Sequence, residues 1–149
     1  MARKNPEASG NTSSFKSDFA LLLEGGFIAV NQLDEENAWR LFASAQVLEP
    51  NHSGPLMGFG NIHLNKMEAE EAVRIFSAIV EQEPDNEMAK AFLGVACVIT
   101  KKDLVRGEKL LKGAAECKTI PSVKQLGELW LNALDKIIKK QPARPFAAH

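Results

Sequence analysis

Few side chains in this 149-residue chain have the type and spacing that chemistry requires. The three histidines are His52, His63 and His149, and the two cysteines are Cys97 and Cys117. No two of them stand at metal-ligand spacing, and no H-E-x-x-H, nucleophile elbow or phosphate loop occurs. The glycine pairs in EGG at 24–26 and GFG at 58–60 lack the lysine and the preceding strand that a phosphate cradle needs. Glu68, Glu70 and Glu71 sit at the start of an expected helix, where acids offset the positive end of its dipole; they are not read as a catalytic pair. His63 falls at a helical packing position, which favours a core or rim role over metal binding. The residues therefore point away from an enzyme, and no cofactor or metal is expected.

The composition says what kind of chain must position such residues. Its length suits one domain, and 45% apolar with 25% charged residues is ordinary for a globular protein. Two cysteines are too few for a disulfide framework, so reduced thiols and a cytoplasmic location are expected. No run reaches the roughly 20 apolar residues of a membrane span, and MARKNPEASGNTSS lacks an apolar signal core, so neither membrane insertion nor export is expected. A net charge of −1 and a pI near 6.3 argue against nucleic acid as a partner. The charge is uneven: residues 1–16 carry +2 and residues 136–149 carry +4, leaving −7 between them. Lys136, Lys139 and Lys140 fit the end of a helix, where cations offset the dipole.

Helical periodicity dominates, no useful alternating strand pattern appears, and the fold class is read as all-α. Six helices are expected at about 17–31, 35–48, 54–65, 69–82, 87–100 and 104–117. A seventh, at about 121–140, opens on Pro121 and carries Val123, Leu126, Leu129, Trp130, Leu134, Ile137 and Ile138 as an apolar stripe. Residues 1–16 and 141–149 have little to bury and are read as flexible tails flanking one domain over 17–140. Within that domain a period of 34 residues separates Gly26, Gly60 and Gly94, and also Ala38 from Ala72, Phe42 from Phe76 and Pro50 from Pro84. The segments ENAWRLFASAQVLEPN and EEAVRIFSAIVEQEPDN match almost column by column.

This pattern resembles the tetratricopeptide repeat, a 34-residue helix–turn–helix with a small residue in its first helix, A-x3-F in its second, and a closing proline. The resemblance implies three repeats, at about 19–52, 53–86 and 87–119, wound as a right-handed superhelix with the seventh helix as a C-terminal cap. The glycine column lets paired helices approach, and the Phe column fills the space between hairpins. Two departures stand out. No repeat has the usual aromatic of the first helix. The third places Arg106 and Leu110 in the Ala and Phe columns, unless its register slides by one to Gly107 and Leu111.

In this family the first helix of each unit lines the inner wall. The corresponding residues are Leu23, Phe27 and Val30, then Met57, Asn61 and Leu64, then Met88, Phe92, Val95 and Ile99. They form a mostly apolar partner-binding groove suited to an amphipathic helix; packing against the tail or a second copy is the plainer alternative. The Lys/Asn/Arg clamp by which some tetratricopeptide proteins grip a C-terminal carboxylate is absent, with Leu23, Phe27, Gly58, Met88 and Phe92 in its columns. A small three-repeat chain with such a groove is similar to the chaperones of bacterial type III secretion, the needle-subunit branch more than the translocator branch. That resemblance implies a cytosolic chaperone that holds an apolar helix of a secreted subunit, together with a second small co-chaperone. A scaffold joining two folded partners and self-association through the groove or first helix remain the other readings.

Overall fold

The computed structural model describes residues 8–140, and seven helices occupy them: α1 (Ala8–Asn31), α2 (Glu35–Leu48), α3 (Gly54–Asn65), α4 (Ala69–Gln82), α5 (Glu87–Thr100), α6 (Leu104–Ala115) and α7 (Pro121–Lys140). No strand occurs among the described residues, so the all-α reading holds. The expected starts of α2 to α7 coincide with those observed. At its N-terminus α1 runs back to Ala8 rather than to 17, because extending an existing helix fixes one residue per hydrogen bond and needs no buried face. Residues 1–7 and 141–149, assigned above to the tails, lie outside the described residues.

The chain forms two compact units, Met1–Ile75 and Phe76–His149. In the first, α1 packs on α2, and α3 packs on both. Its centre is Phe42, fully buried. A Cβ at Gly26 of α1 or at Gly58 of α3 would lie 2.4 Å from the Phe42 ring, so both helices approach it closely only because those positions are glycine. Phe27 meets the ring edge-on at 5.0 Å and Phe59 at 5.9 Å; Trp39 stacks on Phe59 at 4.5 Å. Gly26 of EGG and Gly58 of GFG thus serve an aromatic core. In the second unit α5, α6 and α7 pack mutually. A Cβ at Gly127 of α7 would lie 2.4 Å from the Ala115 backbone nitrogen, and Val123 and Leu134 of α7 are buried.

Turn geometry repeats with the sequence. Leu33, Met67 and Lys101 are the non-glycine residues with positive φ among the described residues, at 57–60°, and they are spaced by 34. Each donates its N–H to the carbonyl three residues back, at Val30, Leu64 and Val98. In the first two turns the next N–H, of Asp34 or Glu68, closes on Ala29 O or His63 O at 2.9 Å. The third turn departs: the Thr100 hydroxyl donates to Cys97 O at 2.7 Å, and the Lys102 N–H turns to Thr100 Oγ1 instead. One extra residue therefore precedes the helix cap. Ala38, Ala72 and Gly107 donate to the carbonyls of Asp34, Glu68 and Asp103, which makes Gly107 the third member of the small-residue column. Leu111 is fully buried, whereas Leu110 is only half-buried and Arg106 is exposed. The third repeat accordingly takes the register of Gly107 and Leu111 rather than of Arg106 and Leu110.

Candidate partner-binding surface

Side-chain caps set where α2, α5 and α6 begin. Asp34 Oδ1 accepts the Asn37 N–H at 3.2 Å, Asn86 Oδ1 the Ala89 N–H at 3.0 Å, and Asp103 Oδ1 the Arg106 N–H at 3.3 Å. The Asn37 amide also donates to Asp34 Oδ2 at 2.7 Å, and these bonds hold the Asp34 carboxyl below its ordinary pKa. The helices preceding α2, α4 and α6 carry the ten residues read as a binding face.

In the first unit, Leu23, Phe27, Asn61 and Leu64 are half-buried, while Val30 and Met57 are buried. Leu23 packs over Gly54 at the start of α3, where a Cβ would come within 2.8 Å of it. Asn61 donates its side-chain amide to Met57 O at 2.8 Å, which satisfies that polar group within its own helix. In the second unit, Met88, Phe92 and Ile99 are half-buried and Val95 is buried. Phe92 stacks on the buried Phe76 with ring centroids 5.5 Å apart, and Met88 packs on the Ala91–Ala114–Val123 cluster. Within their own units, Val30, Met57 and Val95 are thus buried, and the other seven keep partly accessible area.

One cavity adjoins this face in the first unit. It encloses about 200 Å³ and has a floor of Val30, Ala38 and Ile62. Leu33, Glu35, Asn65 and Lys66 form its rim. Asn65 donates its amide to Val30 O at 3.0 Å and fixes one wall. Lys66 Nζ lies 3.0 Å from Glu35 and 3.3 Å from Glu68, and those carboxylates hold its ammonium above the usual lysine range. His63 Nδ1 lies 2.6 Å from Glu68 Oε2; with Lys66 it holds the Glu68 carboxyl below its ordinary range. The His63 ring meets Trp39 edge-on at 5.8 Å. The cavity and its exposed rim residue Leu33 escape sequence reasoning, because a left-handed turn filled by Leu, Met and Lys carries no glycine signal.

No group of three or more His, Cys, Asp or Glu side chains is placed to hold a metal ion among the described residues. Both cysteines are free thiols: burial pushes Cys97 up, whereas the Thr119 hydroxyl and the backbone N–H groups of Ile120 and Thr119 draw Cys117 down. No helix among the described residues is long and apolar enough to cross a membrane. No family model matches the chain, and no curated protein matches it.

Proposed function

We propose that this chain is a tetratricopeptide-type binding protein without catalytic activity, and that it acts as a cytoplasmic chaperone for a type III secretion needle subunit. In this reading the repeats wind as a right-handed superhelix capped by α7. An amphipathic helix of the subunit lies against the columns led by Leu23, Phe27, Leu64, Met88, Phe92 and Ile99. The observation that carries it is the 34-residue period, which recurs in the buried Phe42 and Phe76 and again in the left-handed turn residues 33, 67 and 101. That period marks stacked helical hairpins, whose usual work is to bind peptides. The face they offer is apolar, and its polar member Asn61 is already bonded within its own helix. A needle subunit polymerises through apolar helices; covering one of them on such a face keeps the subunit monomeric until it is secreted.

Mixing the purified chain with a needle subunit from the same source, and following polymerisation by light scattering, tests this directly. The chaperone reading expects a soluble complex and no growth in scattering at equimolar protein. Polymerisation at an unchanged rate contradicts it. Unchanged assembly of a subunit held in a ternary complex would instead favour the scaffold reading.

A further inference from the structure

The first and last of the described helices each send two apolar side chains into solvent about two turns apart. On α1, Leu21 and Ile28 are 63% and 49% exposed, and the exposed Asp18 and Glu24 share their face. On α7, Leu129 and Ile137 are 65% and 40% exposed, and the exposed Lys136 and Lys140 flank them. Scattered exposed apolar residues need no explanation. The spacings are seven residues on α1 and eight on α7, each about two helical turns, and the opposite charges beside them make the two seams complementary.

We infer that α1 of one copy docks along α7 of a second copy, antiparallel. In that register Leu21 faces Ile137, Ile28 faces Leu129, and the small residues Gly25 and Ala133 meet between them. Asp18 then lies opposite Lys140, and Glu24 falls within a turn of Lys136. A parallel arrangement also pairs the apolar residues but carries the acids away from the lysines, so charge selects the antiparallel one. Charge disfavours the symmetric pairings too: α1 on α1 sets acids beside acids, and α7 on α7 offers its lysines no carboxylate on the seam. The contact is heterologous, so each copy keeps one unused face and the assembly grows or closes into a ring. Four large apolar side chains make a small interface, which implies weak and concentration-dependent association.

Sedimentation of the full chain across about 5–500 μM, a range that brackets weak association, reads this out. The weight-average mass is expected to rise above the 16.3 kDa of one chain as concentration increases, and less steeply at high salt. Leu21→Lys and Ile137→Asp should each remain at 16.3 kDa. Mixing these two variants should restore a 1:1 dimer that grows no further, because one supplies an intact α7 face and the other an intact α1 face. Lys140→Glu should weaken association several-fold, and Asp18→Lys added in the same chain should recover it. All four positions are exposed, and circular dichroism on each variant establishes that its helices are intact. A constant mass of one chain at every concentration overturns the inference. So does association that survives either single variant, or a mixture of helical variants that stays monomeric.

Discussion

Adding one methyl group at Gly58 should destabilise the first unit, even though alanine is the better helix former. The new Cβ would lie 2.4–2.5 Å from Cε1, Cε2 and Cζ of Phe42, about 1 Å inside ordinary contact. The ring has little room to retreat, because Gly26 of α1 also crowds it: a Cβ there would lie 2.4 Å from Cε1. Relief therefore requires α1 and α3 to separate or the Phe42 side chain to leave its rotamer. Overpacking of this kind costs about 1–3 kcal/mol, and the embedded ring places this site at the upper end. Helix propensity returns about 1 kcal/mol. The net expectation is a loss of about 2 kcal/mol. Gly113→Ala on α6 is the matched control: nothing lies within 4 Å of its Cβ, so it should gain about 1 kcal/mol from propensity alone. Urea denaturation, followed through the fluorescence of Trp39 for the first unit and Trp130 for the second, measures both. Phe42→Leu should recover part of the loss in the Gly58→Ala background, a non-additive pair. Equal or greater stability of Gly58→Ala would refute the cradle.

Three further predictions concern register, acid stability and thiol reactivity. Leu111→Ala should cost about 2–5 kcal/mol in chemical denaturation, and Leu110→Ala clearly less, reversing the order that an unbroken 34-residue period implies. The Asp34 carboxyl is held below its ordinary value in the folded state, so its contribution is complete above about pH 4 and is lost as the pH falls through its folded pKa. Asp34→Ala should lower the urea midpoint at pH 7 and flatten the acid limb below pH 4, as read in a pH series of urea midpoints. Cys117 should alkylate with iodoacetamide well before the buried Cys97, and Cys117→Ser should remove the fast phase seen by mass spectrometry.

The starts of α2 to α7 were legible, several of them because local chemistry writes them. Asp34, Asn86 and Asp103 cap the helices that follow them, and Pro121 opens α7. The Phe42 and Phe76 columns were legible because large apolar residues at a fixed period have few uses outside a core. What escaped depends on tertiary or side-chain detail. The sequence left the third repeat between two registers, because the Thr100 hydroxyl bonded to Cys97 O, which accompanies the one-residue shift, does not show in spacing. Gly58 lies two residues before Gly60 of the glycine column, and the period gives no sign that a Cβ at Gly58 would meet the Phe42 ring at 2.4 Å. Phe27 and Phe92, read as groove residues, are half-buried against Phe42 and Phe76 respectively, a depth that spacing does not give. A period assigns a residue to a column and leaves open how deeply its neighbours cover it.

The affinity of folded surface variants for a needle subunit tests the central claim most directly. Phe27→Asp, Leu64→Asp and Asn61→Lys each place a charge on the proposed contact face, where an apolar ligand helix leaves it unsolvated and unpaired. Isothermal titration, restricted to variants that keep wild-type helicity by circular dichroism, should show binding weakened at least tenfold, equivalent to about 1.4 kcal/mol. Wild-type affinity in all three folded variants would contradict the account and move the binding site to another face of the chain.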